Sequence, residues 1–402
     1  MVHKISIIIV IVFTTLLTYA QSPTVWRGGA NGIYPDKNLL RSWPATGPET
    51  IWAFEGLSEG HSSPVFALGH IFISSMIDKT GYITVLSMDG KEVKKYAYGE
   101  EYYESFPGSR STPVVVGDFL YIYSGHGVIY AFEAMTGTLR WKKDLLKESG
   151  AENIRWGVTE TLVVDGDKIF CSPGGTEMNV VALNRKDGSL IWKTPALGEA
   201  SAYCTPALIN HNSKKILVTM MAKHIIGIDP ESGKLLWNYE QPNQYGVHAN
   251  TPIYSDGYLV CTSGYGKGTV GLKLSGDGNS VEKVWFNEKF DNRMGGVVCL
   301  NGYLYGSGDK TRAWMCLDLK TGTEKWASSE VANGVVISSD ELLFIYSEKG
   351  ELALAEVNPN AFKLLGKTKV EKGTAQHWAH PVVNNGILYV RHGNALIAYK
   401  IK

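Results

Sequence analysis

The chain has 402 residues, 44% hydrophobic, 11% aromatic and 19% charged, with 44 glycines. Its 39 basic and 39 acidic residues cancel, which removes the electrostatic footprint expected of a nucleic-acid-binding or anionic-lipid-binding protein. The five cysteines are odd in number and widely spaced, which argues against a disulfide framework or a cysteine metal site and for small buried apolar side chains.

Residues 1–20 have the pattern of a signal peptide: His3 and Lys4, an apolar run over 5–17, then Thr18-Tyr19-Ala20. The run is too short for a membrane span, so export is expected, to the periplasm or beyond the cell, with a mature chain starting near Gln21. No cysteine follows it to carry a lipid. Residues 21–50 read as an N-terminal extension and 51–402 as one repeat array.

The repeat is marked by tryptophans four residues beyond a turn glycine: Thr136-Gly137 before Trp141, Asp187-Gly188 before Trp192, Ser232-Gly233 before Trp237, and Thr321-Gly322 before Trp326. A recurrence of roughly 40–50 residues built from short strands is the mark of a β-propeller. The cleanest unit runs from Ser111-Thr112-Pro113 through three alternating apolar runs to Leu139-Arg140-Trp141, a meander of four antiparallel strands. Related units begin near Pro64, Thr161, Pro206, Pro252, Val297, Val336 and Pro381, and the last is one strand short. Ile51-Trp52-Ala53-Phe54 is an orphan strand before the first unit. The predicted fold is therefore all-β, an eight-bladed propeller of four-stranded antiparallel blades whose ring is closed by the N-terminal strand. Each tryptophan is expected to pack between neighbouring blades.

In such a ring, the residues just before each inner strand reach the mouth of the central channel. The six residues before each start hold His61, Arg110, Arg155, His248, Arg293, His377 and His380, seven Arg and His where uniform scatter predicts about two. Trp156, Tyr203 and Trp378 supply stacking faces there, and Asn250 and Asn292 supply amide donors and acceptors. Together these residues predict an axial site for a small polar or anionic ligand, or for an envelope protein partner, on a monomer. Glu160 stands where Ser63, Thr112, Thr205 and Thr251 stand in other units, and an ion pair with Arg155 is expected to hold it; Asp291 with Arg293 reads the same way. Gly125-His126-Gly127 and Gly264-Tyr265-Gly266 read as hairpin turns, and residues 96–107 as a surface loop.

The pattern Thr-Pro-Val-Val…Asp…Tyr…Ser-Gly…Gly-x-Ile-Tyr-Ala…Thr-Gly…Leu-x-Trp over 112–141 resembles the pyrroloquinoline-quinone-like propeller repeat family, and the resemblance extends over nearly all of the mature chain. That family implies two classes. One comprises quinone-dependent alcohol or sugar dehydrogenases, which hold the quinone and calcium on the axis with an adjacent Cys-Cys pair, a stacking Trp, Glu and Asn metal ligands and an Asp base. This sequence has no Cys-Cys pair and no Cys-x-x-Cys-His haem site; Trp156 or Trp378, Glu160 and Asn250 match those roles by residue type alone. The other class resembles the cofactor-free outer-membrane assembly scaffold, an exported eight-bladed propeller that binds partner proteins. The second class, a non-catalytic binding propeller with no resident cofactor or metal, is the expectation carried forward.

Overall fold

The structure, a computed structural model, describes residues 24–29 and 31–402. The expected signal peptide lies outside them. Among the described residues no helix is long and apolar enough to cross a membrane.

Eight antiparallel sheets succeed one another along the chain. Blade I comprises Val65–Ala67, His70–Ile77, Thr80–Ser87 and Glu92–Glu100, and blade II Val114–Val116, Phe119–Tyr123, Val128–Glu133 and Leu139–Asp144. Blades III to VII begin with the inner strands Val163–Asp165, Ala207–His211, Ile253–Ser255, Val298–Leu300 and Gly334–Ser339. Blade VIII has Val382–Asn384, Ile387–His392 and Ala395–Lys400 from the C-terminus, and its fourth strand is Thr50–Phe54, antiparallel to Ala395–Lys400. The orphan strand therefore closes the ring, as the repeat count predicts.

The middle strands of each blade are buried on both faces, as in Leu342–Ser347, because each sheet packs against a neighbour on either side. Fourth strands face water, and Leu139–Asp144 has no fully buried residue. Their tryptophans explain the repeat. A β-bulge shifts the register one residue before Trp52, Trp141, Trp192, Trp237, Trp285 and Trp326, turning each ring toward the next blade. The indole N–H of Trp141 then donates to Arg185 O at 3.0 Å, that of Trp192 to Pro230 O at 3.0 Å, and that of Trp285 to Leu319 O at 2.8 Å, all in the following blade's turn. The turn glycine lies against that ring. At Gly188 a Cβ would meet Trp141 at 2.7 Å and at Gly233 it would meet Trp192 at 2.6 Å, while both glycines have positive φ, so no other residue fits.

Candidate functional site

The inner strands are linked around the axis by hydrogen bonds from one blade start to the next. The N–H of Ser63 donates to Thr112 Oγ1 at 3.1 Å, that of Thr112 to Thr161 Oγ1 at 3.3 Å, and that of Thr161 to Thr205 Oγ1 at 2.9 Å. Asn250 Nδ2 continues the ring by donating to Asn292 O at 2.6 Å, and Asn292 Nδ2 by donating to Gly334 O at 3.2 Å. The side chain preceding each inner strand thus satisfies backbone groups that the short strands leave unpaired.

Above this ring lies a cavity of about 290 Å³. Seven of the predicted residues line it: His61, Arg110, Trp156, Tyr203, Arg293, Trp378 and His380. On one wall Trp378 packs against both His61 and Phe106 with ring centroids 5.0 Å apart. On another, Trp156 packs against Tyr203 at 5.9 Å, and its N–H donates to the Tyr203 hydroxyl at 3.2 Å. Arg293 is held from behind by Asp309 at 3.0 Å and Glu348 at 2.7 Å. Arg110 Nη2 donates to Ser105 O at 2.5 Å and Phe106 O at 2.9 Å, and its guanidinium lies 5.1 Å from the centre of the Tyr102 ring.

The floor comes from the N-terminal extension. Thr24 O accepts from Val115 N in blade II, Trp26 lines the cavity, and Arg27 is fully buried across the channel. Arg27 donates to Val297 O at 2.6 Å, Val336 O at 3.1 Å and His380 Nδ1 at 2.9 Å. Because a guanidinium only donates, His380 Nδ1 is the acceptor and its Nε2–H donates to Met294 O at 3.0 Å. Burial and the adjacent Arg27 hold the His380 imidazole well below its ordinary pKa, so it is neutral. Burial likewise lowers Arg27 to about 10, still protonated at neutral pH. A second cavity of about 240 Å³ lies against Trp26, along inner-strand residues Val163, Val164 and Leu208. Residues 24–29 and 31–34 thus run as a strap beneath the first cavity, ending in the parallel pairing of Ile33–Tyr34 with Ser338 and Ser339.

The other six predicted residues do not line this cavity. His377 lies against His392 with ring centroids 3.7 Å apart and its Nδ1 2.5 Å from the Tyr346 hydroxyl. Arg155 is exposed, stacking 5.0 Å from its neighbour Trp156. Asn250 and Asn292 are consumed in the inter-blade ring. His248 is buried with Nε2 3.3 Å from Ala222 O, because alternation sends its neighbours Val247 and Ala249 to the cavity instead. Glu160 is fully buried, and its carboxyl accepts the Ser172 N–H at 3.0 Å rather than pairing with Arg155. The expected equivalence was one residue out of register: Thr161, not Glu160, takes the place of Thr112 and Thr205 in the ring. Without a cationic partner, burial pushes the Glu160 carboxyl well above its usual range. Asp291 also lacks its expected partner, accepting instead from the N–H groups of Gly266 and Asp309, each at 2.8 Å.

Sequence reasoning missed Trp26, Phe106, Tyr265 and Met294. Phe106 comes from the 96–107 segment, which is not wholly a surface loop, since Glu101 and Tyr102 are buried. Tyr265 sits on the hairpin between the second and third strands of blade V, and such hairpins open on the same face as the blade starts.

The family model described as outer membrane protein assembly factor BamB matches residues 45–328. The chain belongs to the BamB family. Among curated relatives, it is 26% identical over 156 residues to the BamB of Kangiella koreensis, covering 39% of this chain and 35% of that protein. It is also 22% identical over 200 residues to a quinoprotein ethanol dehydrogenase of Pseudomonas aeruginosa, covering 50% of this chain and 26% of the enzyme. The matches therefore span only about a third and a quarter of these two relatives. The crystal structure of BamB from Moraxella catarrhalis superposes with a TM-score of 0.65 at 13% identity, covering 88% of this chain and all of that one, which shows a shared fold.

The match to a quinoprotein ethanol dehydrogenase raises the question of whether the residues present fit a quinone with calcium. Neither candidate metal ligand lines the cavity: the Glu160 carboxyl accepts the Ser172 N–H, and the Asn250 amide nitrogen donates to Asn292 O while its oxygen is buried without a partner. All five cysteines are free thiols, each in a blade strand or a blade-start segment, and Arg27 crosses the axis beneath the cavity. Among the described residues no cluster of His, Cys, Asp and Glu could hold a metal. The arrangement does not fit the quinone–calcium pair.

Proposed function

We propose that this BamB-family propeller is an exported, non-catalytic binding protein of the cell envelope that receives a small polar ligand or a segment of a protein partner in its axial cavity. One observation carries the reading: inter-blade loops distant in sequence bring Trp156, Tyr203, Trp378, His61 and Arg110 around one cavity. The placement of Glu160 and Asn250 supports binding over quinone chemistry, and the family's named assembly role supports an envelope location.

The test is to fill the cavity without touching the blades. Ala249→Trp places an indole in the cavity, whereas Phe286→Lys alters an exposed fourth-strand residue. Wild type and Phe286→Lys should retain the same partner or small molecule through purification from envelope extracts, and Ala249→Trp should lose it. Dye reduction with alcohols after loading with quinone and calcium would sink the non-catalytic reading.

A further inference from the structure

We propose that the axial cavity is a receptor for a ring-bearing organic monocarboxylate, its carboxylate held by Arg110 Nη1 and His61 and its ring laid against the aromatic walls. The proposal rests on the cavity being the binding site and adds the chemistry of its occupant.

The first argument is the lining's charge. No Asp or Glu is among the lining residues. Two of the four basic groups are already engaged: Arg293 by Asp309 and Glu348, and His380 by Arg27 and Met294 O. Arg110 differs: the buried Glu101 carboxyl acts on it only from beyond ion-pair distance, and its Nη1 is buried without a hydrogen-bond partner. Arg110 lines the cavity, and a guanidinium with one nitrogen left unpartnered suits one carboxylate, which such a group binds strongly.

His61 is the second, independent observation. It is 9% exposed and lines the cavity, and although the Pro107 backbone lies beside the imidazole, neither ring nitrogen makes a hydrogen bond of good geometry. A buried polar atom left without a partner is costly, and native structures seldom leave one without a reason. Burial, with Arg391 and Arg110 nearby, lowers the imidazole to about 3, so it offers one donor and one acceptor while the positive charge stays on the arginines. Thr161 and Thr205 add donors, for their oxygens accept backbone N–H groups and their hydroxyl protons remain to be given. A lining rich in donors and poor in acceptors selects an acceptor-rich anion.

The walls define the rest of the ligand. The Trp378 pair with Phe106 and the Trp156 pair with Tyr203 present ring faces, and a flat ring or the C–H face of a sugar packs on such surfaces. The volume of about 290 Å³ equals roughly ten waters, enough for one ring and its carboxylate.

Trp26, Trp156 and Trp378 line the cavity and report its occupancy through their fluorescence. Titration of the wild type with 4-hydroxybenzoate and galacturonate separates an aromatic from a sugar source, with 4-hydroxybenzamide and acetate as uncharged and ringless controls. One ring acid should bind at least about tenfold more tightly than either control, the factor a charge-assisted hydrogen bond supplies. Arg110→Gln should weaken the acid by about tenfold or more and leave the amide unchanged. Equal binding of acid and amide by the wild type overturns the carboxylate assignment, needs no variant to fold, and leaves the cavity a binding site. If no ring probe binds and Ala249→Trp still abolishes partner retention, the carboxylate proposal fails alone; if Ala249→Trp also changes nothing, both readings fall.

Discussion

At the residue scale, burial sets the charge state of groups that water would otherwise serve. Glu160 is a carboxylic acid kept neutral by burial. Its folded-state pKa lies above its unfolded value of about 4.5, so the native state holds a proton that the unfolded chain releases, and stability falls as pH rises beyond 4.5. Glu160→Gln should remove that dependence: the gain in urea midpoint over wild type should widen from pH 4.5 to pH 8. The turn glycines carry a different constraint. Gly188→Ala would drive a Cβ to 2.7 Å from the Trp141 ring at φ 73, and a loss of about 1–3 kcal/mol is expected by chemical denaturation. The Thr-Gly…Trp spacing was legible because both ends are fixed between blades, the glycine against a ring of the preceding blade and the tryptophan against the turn of the following one. The role of Glu160 was not, because in blade III no proline follows the ring threonine to mark the register, so the alignment slipped by one.

At the element scale, the strap over residues 24–29 and 31–34 is the part of the site that composition and periodicity gave no sign of. A repeat announces itself by recurrence, whereas Trp26 and Arg27 occur once, and their partners Val297, Val336 and His380 come from three different blades. The blade starts were legible because each repeats at the same offset, and Arg110, Trp156, Tyr203 and Trp378 were found that way. Which of those side chains would turn into the cavity was not legible, since a one-residue alternation separates Ala249 from His248 and Asn250. Arg27→Ala strips His380 Nδ1 and three carbonyls, those of Asn31, Val297 and Val336, of their donor. A loss of about 3 kcal/mol is expected, read as a lowered unfolding midpoint together with a changed emission from Trp26.

At the scale of the whole molecule, the axis collects histidines that fold in their neutral form. His61 is lowered to about 3 and His248 to about 4, and His380 well below its ordinary value, in each case chiefly by burial. The unfolded chain therefore binds more protons than the native ring below the ordinary value of 6.5, and stability is lost as pH falls from 6.5 toward about 4. A pH series of denaturation midpoints should show this decline, and His61→Asn combined with His248→Asn should make it shallower. An unchanged slope would place the acid sensitivity elsewhere.

The closing of blade VIII by Thr50–Phe54 against Ala395–Lys400 also sets the order of assembly. Because the chain emerges from its N-terminus, the strand around Trp52 must wait while the other seven sheets form, and it finds its mate only when Ala395–Lys400 arrives. Any product cut short leaves that strand's hydrogen-bonding edge open to proteases and to other chains. Only a chain that carries blade VIII can hide the seam.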